Sequence, residues 1–129
     1  MWILTETGIA IFQRVYDAKL DEQLFAMLMS ALNSFAEEIS KGGLSNFELS
    51  NRRFSIIKRS TFLFIASSSP KIKGKKVISE LEIIADKFFD QYPQDLLDNW
   101  DSDIDTFKDF GNIVEESVEK KVQSFLDNI

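Results

Sequence analysis

The chain has 129 residues, no cysteine, no histidine and a formal net charge of −6, with 44% hydrophobic residues and 12 phenylalanines. These counts exclude a disulfide framework, thiolate or imidazole metal sites and histidine-based catalytic triads, and they suit one domain burying about two-thirds of its unfolded surface. The charge is uneven, because residues 51–76 hold eight bases and no acid while residues 77–129 hold 14 acids against four bases. That dipolar layout argues against nucleic acid as a partner and for a protein or an anionic membrane surface.

The N-terminal residues carry no basic lead-in to an apolar run, and no stretch approaches the roughly 20 apolar residues of a membrane span. We therefore expect a soluble cytoplasmic protein, at most peripheral at membranes, with no C-terminal anchor after Ile129.

In chain order, residues 2–6 and 9–16 read as two strands joined at Thr7 and Gly8, where glycine supplies the positive φ of a tight turn. Trp2, Ile3 and Leu4 run apolar without alternation, as in a strand covered on both faces, whereas Gln13, Arg14 and Tyr16 place the second strand at an edge. Residues 21–41 form a long amphipathic helix, with Asp21 as N-cap and Lys41, Gly42 and Gly43 as the stop. Its expected buried stripe is Leu24, Leu28, Ala31, Leu32, Phe35 and Ile39, widened by Phe25, Met29 and Ala36. So broad a face suits a sheet better than a free membrane or partner helix. Gly42 and Gly43 follow a helix C-terminus, whereas a phosphate cradle needs its glycines before an N-terminus.

Residues 44–50 alternate, with Ser45, Phe47 and Leu49 on one side, as at a sheet edge. Residues 53–59 and 61–67 follow as strands, the last apolar on both faces and hence expected beside the first. Residues 67–76 read as a polar loop. Val77, Leu81, Ile84, Ala85, Phe88 and Tyr92 then mark a second helix, which Pro93 stops. An acidic connector over residues 93–105, anchored by Trp100, leads to a last helix carrying Phe107, Phe110, Val114, Val118, Val122, Phe125 and Ile129, with a bend or late start at Gly111. The order ββαβββαα specifies one α+β domain over residues 1–129. We expect a five-stranded antiparallel sheet in the order 2-1-5-4-3, with one helix on one face and two on the other.

Chemistry is sparse. Asp101, Asp103 and Asp105 alternate like the start of a calcium loop, but Thr106 and Asn112 stand where that loop needs glycine and glutamate. Residues 102–105 read instead as a helix cap. The carboxylate pairs Glu37/Glu38 and Glu115/Glu116 fall on solvated helix arcs, and serines 67–69 have only Lys71 and Lys73 as bases, in a loop with nothing to lower their pKa. No catalytic residue, metal site or cofactor is expected, and the chain reads as a non-enzyme. Lys71, Lys73, Lys75 and Lys76 suit either a solvated linker or a weak contact with an acidic partner or anionic lipid.

The opening Thr7-Gly8-Ile9-Ala10-Ile11-Phe12-Gln13-Arg14, the helix segments 21–25 and 31–39, Phe47-Glu48-Leu49 with Arg53-Phe54, and residues 84–89 leading to Trp100-Asp101 resemble the longin family. The resemblance covers nearly the whole chain and is strongest to short stand-alone longin-like proteins of archaea that carry many small GTPases. It implies a longin/profilin-like fold and a non-enzymatic adaptor or scaffold in vesicle trafficking, which dimerises and binds a small GTPase or another longin or roadblock-type subunit. The roadblock family usually starts with a helix, so the opening hairpin favours longin. There is no SNARE heptad segment, unlike longin SNAREs.

The expected contact surface is the edge strand, with Phe47 and Leu49, and the first helix. Arg52, Arg53, Lys71, Lys73, Lys75 and Lys76 are further candidate contact residues. Two other readings remain beside this one: a peripheral membrane tether using residues 71–76, and a profilin-like cytoskeletal or ligand-binding module.

Overall fold

The structure is a computed structural model that describes residues 1–13, 22–39, 46–48, 52–101 and 103–110. Its strands are β1 (Trp2–Thr5), β2 (Ala10–Gln13), β3 (Asn46–Glu48), β4 (Arg53–Arg59) and β5 (Phe62–Ser68). Its helices are α1 (Glu22–Ile39), α2 (Gly74–Gln91) and the short α3 (Gln94–Asp98), followed by a 3-10 turn over Ile104–Phe107. The strands form one antiparallel sheet in the order β2-β1-β5-β4-β3, as the apolar patterning predicts.

The two uninterrupted apolar strands lie side by side in the sheet, Trp2 opposite Ile65 and Leu4 opposite Leu63, because only inner strands can bury both faces. Alternation then divides the core in two. Trp2, Leu4, Leu63, Ile65, Phe54 and Ile56 face α1, while Ile3, Phe62, Phe64 and Ala66 face α2. On the second face Phe88 is the centre, with ring centroids 5.1–5.6 Å from Phe62, Phe64, Tyr92, Phe107 and Phe110. Each such buried ring contributes about 1.5–3 kcal/mol. Leu97 of α3 joins the same cluster, so the later helical segments share the face opposite α1.

Two local features shape the sheet. Gly8, at φ +98°, closes the β1–β2 turn, donating to the Thr5 carbonyl at 3.0 Å. Pairing shifts from Ile3–Phe12 to Leu4–Ala10, so Ile11 is an extra residue and β2 is bulged. The bulge lets Ile11 and Phe12 both enter the α2-side core, which strict alternation forbids.

Three expectations are corrected. The helix α2 begins at Gly74, three residues before Val77, so Gly74, Lys75 and Lys76 form its first turn and the loop is shorter than the polar composition suggests. The acidic connector is partly helical, and Phe107 lies in the 3-10 turn, where Asp103 accepts a hydrogen bond from the Asp105 amide at 3.0 Å. The third correction, the stripe that α1 buries, is described below. Arg14, Tyr16, the Asp21 cap, the Lys41-Gly42-Gly43 stop, Leu44, Ser45, Leu49, Ser50, Ser102 and the last helix from Gly111 onward lie outside the described residues.

Candidate functional site: the outward face of α1 and the sheet edge

The helix α1 buries Phe25, Ala26, Met29, Ser30 and Asn33. Of the expected stripe, Phe25 and Met29 are buried as its wider arc implied, whereas Leu28 is 51% exposed, Phe35 63% and Ile39 71%, Ala31 is exposed, Leu32 and Ala36 are half-buried, and the Leu24 side chain lies outside the described residues. Met27, at 61%, adds to the outward side. Steric closeness explains the rotation. A side chain on Gly8 would lie 3.5 Å from Ser30 Cβ and 3.6 Å from the Met27 Cα, so the helix rides directly on the β1–β2 turn. Only small residues fit there, and Ser30 Oγ also donates to the Glu6 carbonyl. On its other flank the helix is held off β4 by rings, with Phe25 4.3 Å from Trp2 and 5.5 Å from Phe54. Phe54 in turn meets Phe47 of β3 at 6.0 Å.

The exposed Leu28, Phe35 and Ile39, with the half-buried Leu32 among them, are spaced 4-3-4, the interval of a helix seam that packs against a second helix. The four exposed apolar side chains of the described helix, Met27, Leu28, Phe35 and Ile39, present an area on the order of 500 Å², the size of patch that commonly marks an interaction surface. On the same side of the sheet, but at the edge away from β2, β3 ends the sheet with one strand edge unpaired in the described structure. Phe47 is half-buried on the α1 side, while Asn46 and Glu48 are exposed.

Charge on this surface is acidic. Residues 22–39 hold three acids and no base. Lys58 of β4 reaches Glu37 at 2.7 Å and Glu6 at 3.2 Å, tying the end of α1 to the sheet. That hydrogen bond holds the Glu37 carboxyl below its ordinary 4.5, and Glu37 raises the Lys58 ammonium above its ordinary 10.5.

The predicted basic residues gather elsewhere. Lys71, Lys73, Lys75 and Lys76 are all exposed around the start of α2, whose first turn has no acid and whose N-cap, Lys73, gives no side-chain hydrogen bond. Arg52 is exposed and donates to Ser67 Oγ at 3.1 Å. Arg53 is turned inward, donating to Glu48 and to two loop carbonyls, and with Asn46, Ser55, Gly74 and Ile78 it lines a groove of about 370 Å³. Phe47 and the lysines therefore lie on opposite faces of the sheet. Leu28, Phe35 and Ile39 are the surface residues that periodicity alone assigned to the core. The small-residue stripe Ala26, Ser30 and Asn33 was the available signal for the true inner face.

Asp101 accepts from the Asp103 amide at 3.1 Å, so this aspartate run is engaged in turns. Among the described residues no three carboxylates come together as a metal-holding group, and no helix is long and apolar enough to cross a membrane.

No family model matches the sequence, and no curated protein matches it. Among solved structures, the crystal structure of a roadblock/LC7 domain from Streptomyces avermitilis is similar, with a TM-score of 0.50 and 14% identity over 68% of this chain and 82% of that one. At that identity the likeness is one of fold. Sheet order, helix placement and this similarity together establish an α+β fold of the longin and roadblock type.

Proposed function

We propose that the chain is a non-enzymatic adaptor that dimerises and binds a small GTPase or another trafficking subunit through the outward face of α1 and the β3 edge. The observation that carries this reading is the 4-3-4 seam, three of whose four residues, Leu28, Phe35 and Ile39, are exposed. Under a two-fold axis through its middle, Leu28 would face Ile39 of a second copy and Leu32 would face Phe35, so the stripe is self-complementary. The seam alone falls short of the roughly 800 Å² per partner of a stable interface, so β3 must contribute by strand addition or through Phe47. The small GTPase comes from the longin resemblance.

Light scattering of the purified chain, with and without Phe35→Glu, tests the surface. A dimer that becomes a folded monomer in the variant supports it; an unchanged mass in both contradicts it. Capture from the source organism's lysate with GDP and with a non-hydrolysable GTP analogue tests the partner. A small GTPase retained in one nucleotide state supports the adaptor role, whereas an equal yield with Phe35→Glu moves the contact away from α1.

The exposure of all four lysines supports a second reading, a weak contact with anionic lipid worth about 1 kcal/mol per lysine at the surface. Binding to anionic vesicles that survives high salt would contradict it.

A further inference from the structure

Arg53 opens β4 beside the edge strand, on the face of the sheet that carries α2. Its guanidinium donates in three directions: Nε to the Glu48 carboxylate, Nη1 to the Ile72 carbonyl and Nη2 to the Pro70 carbonyl, each at 2.9 Å. The first acceptor belongs to β3. The other two belong to the segment between β5 and α2. The Arg53 side chain is only 19% exposed and its two carbonyl bonds are partly buried, while the Glu48 carboxylate, at 51%, meets it from the solvent side. Gly74, the first residue of α2, lies against the same group, since a Cβ there would be 3.3 Å from Nη1.

A guanidinium is a rigid plate whose N–H donors are fixed relative to one another, so a shift of the group toward one acceptor is felt at the other two. Among the described residues β3 makes three residue pairs with β4, and Phe47 packs on the opposite face, so on this face Arg53 is what ties it to the segment before α2. The carbonyls of Pro70 and Ile72 turn to Arg53 while Lys71 and Lys73 stay exposed, so this residue also sets how the lysines are presented.

We propose that Arg53 is a coupling strut, which makes the β3 edge and the lysine-bearing residues 70–76 respond as one unit. A partner that adds a strand to β3 changes the presentation of the lysines, and an acidic group drawn to the lysines changes the edge by an equal and reciprocal free energy. The coupling is measurable in the protein alone and so stands or falls apart from dimerisation.

Amide hydrogen exchange followed by NMR on the full chain tests it, in wild type, Glu48→Gln, Arg53→Lys and the double variant. The informative amides are Ile72 and Lys76, bonded to the Ser69 and Lys73 carbonyls at 3.2 and 3.0 Å, beside those of β3. Arg53→Lys, which cannot make the fork, should speed both groups by about tenfold. Glu48→Gln alters only the β3 end, yet should speed Ile72 and Lys76 by roughly threefold. The double variant should match Arg53→Lys, because both act through one connection. Unchanged β5 amides certify the fold. If Glu48→Gln leaves Ile72 and Lys76 at wild-type rates, or if the two effects multiply, the strut is refuted. Glu48 is half-exposed at the sheet edge, so this variant retains the test even if Arg53→Lys does not fold.

Discussion

The helices α1 and α2 are each 18 residues long, each amphipathic, and packed on opposite faces of one sheet, yet they treat their apolar residues differently. α2 buries the stripe its spacing predicts, Val77, Leu81, Ile84, Ala85 and Phe88. α1 buries a partly polar stripe and turns Leu28, Phe35 and Ile39 outward. An apolar stripe thus shows that a helix face seeks a partner, and leaves open whether that partner is the helix's own sheet.

The sharpest way to break this comparison is one truncation on each helix. Phe88→Ala should destabilise the fold by about 3–5 kcal/mol, since six neighbouring aromatic rings lose their common contact. Phe35→Ala should change monomer stability by less than about 0.5 kcal/mol, as for an exposed side chain. Urea unfolding of both variants decides it, and equal losses would mean that the outward stripe is packed within the monomer.

A smaller effect is expected from enlarging α1 where it packs on the sheet. Ala26, fully buried on its inner face, should tolerate enlargement poorly, and Ala26→Leu should cost about 1–3 kcal/mol by overpacking. A neutral result by thermal melting would show that the helix can rotate or lift. Tyr92 offers an effect of opposite sign. Its ring is buried against Phe88 and Phe107, but its hydroxyl has no hydrogen-bond partner among the described residues, and desolvation, with Asp109 nearby, raises its pKa. Tyr92→Phe should stabilise by about 1 kcal/mol.

The smallest effect concerns pH. The Glu37 carboxyl titrates lower in the fold than its ordinary 4.5, so its contribution is complete above that value and lost as pH falls through the folded pKa. Lys58, raised above 10.5, contributes fully below that value and loses its contribution as pH rises through its folded pKa. The pair is therefore intact at neutral pH, and Lys58→Met should flatten both ends of the stability profile slightly, because the partners are partly exposed and screened.

Much of the fold was legible before any coordinates. The unbroken apolar runs at Trp2–Leu4 and Phe62–Ala66 placed two strands side by side within the sheet, and Gly8 marked the turn between the first two. The start of α2 was missed because lysines and glycine in a first turn look like a loop, and such a turn has no acid to complement the helix dipole. The candidate surface was legible only in part. Phe47 lies on the α1 side as alternation implied, whereas the helix residues beside it were assigned to the core.

What the sequence determined by itself was periodicity: which residues share a strand face or a helix arc, and hence the strand order and the placing of helices on both faces. The tertiary structure alone decided the rotation of α1 and the destination of Arg53. Spacing fixes angles within a helix but no direction relative to a neighbour. The close approach of Ser30 and the Met27 backbone to Gly8, on the side of the helix away from the exposed Leu28 and Phe35, is a contact between residues about 20 positions apart. Arg53 likewise finds its carbonyl acceptors 17 and 19 residues away, where no local pattern announces them.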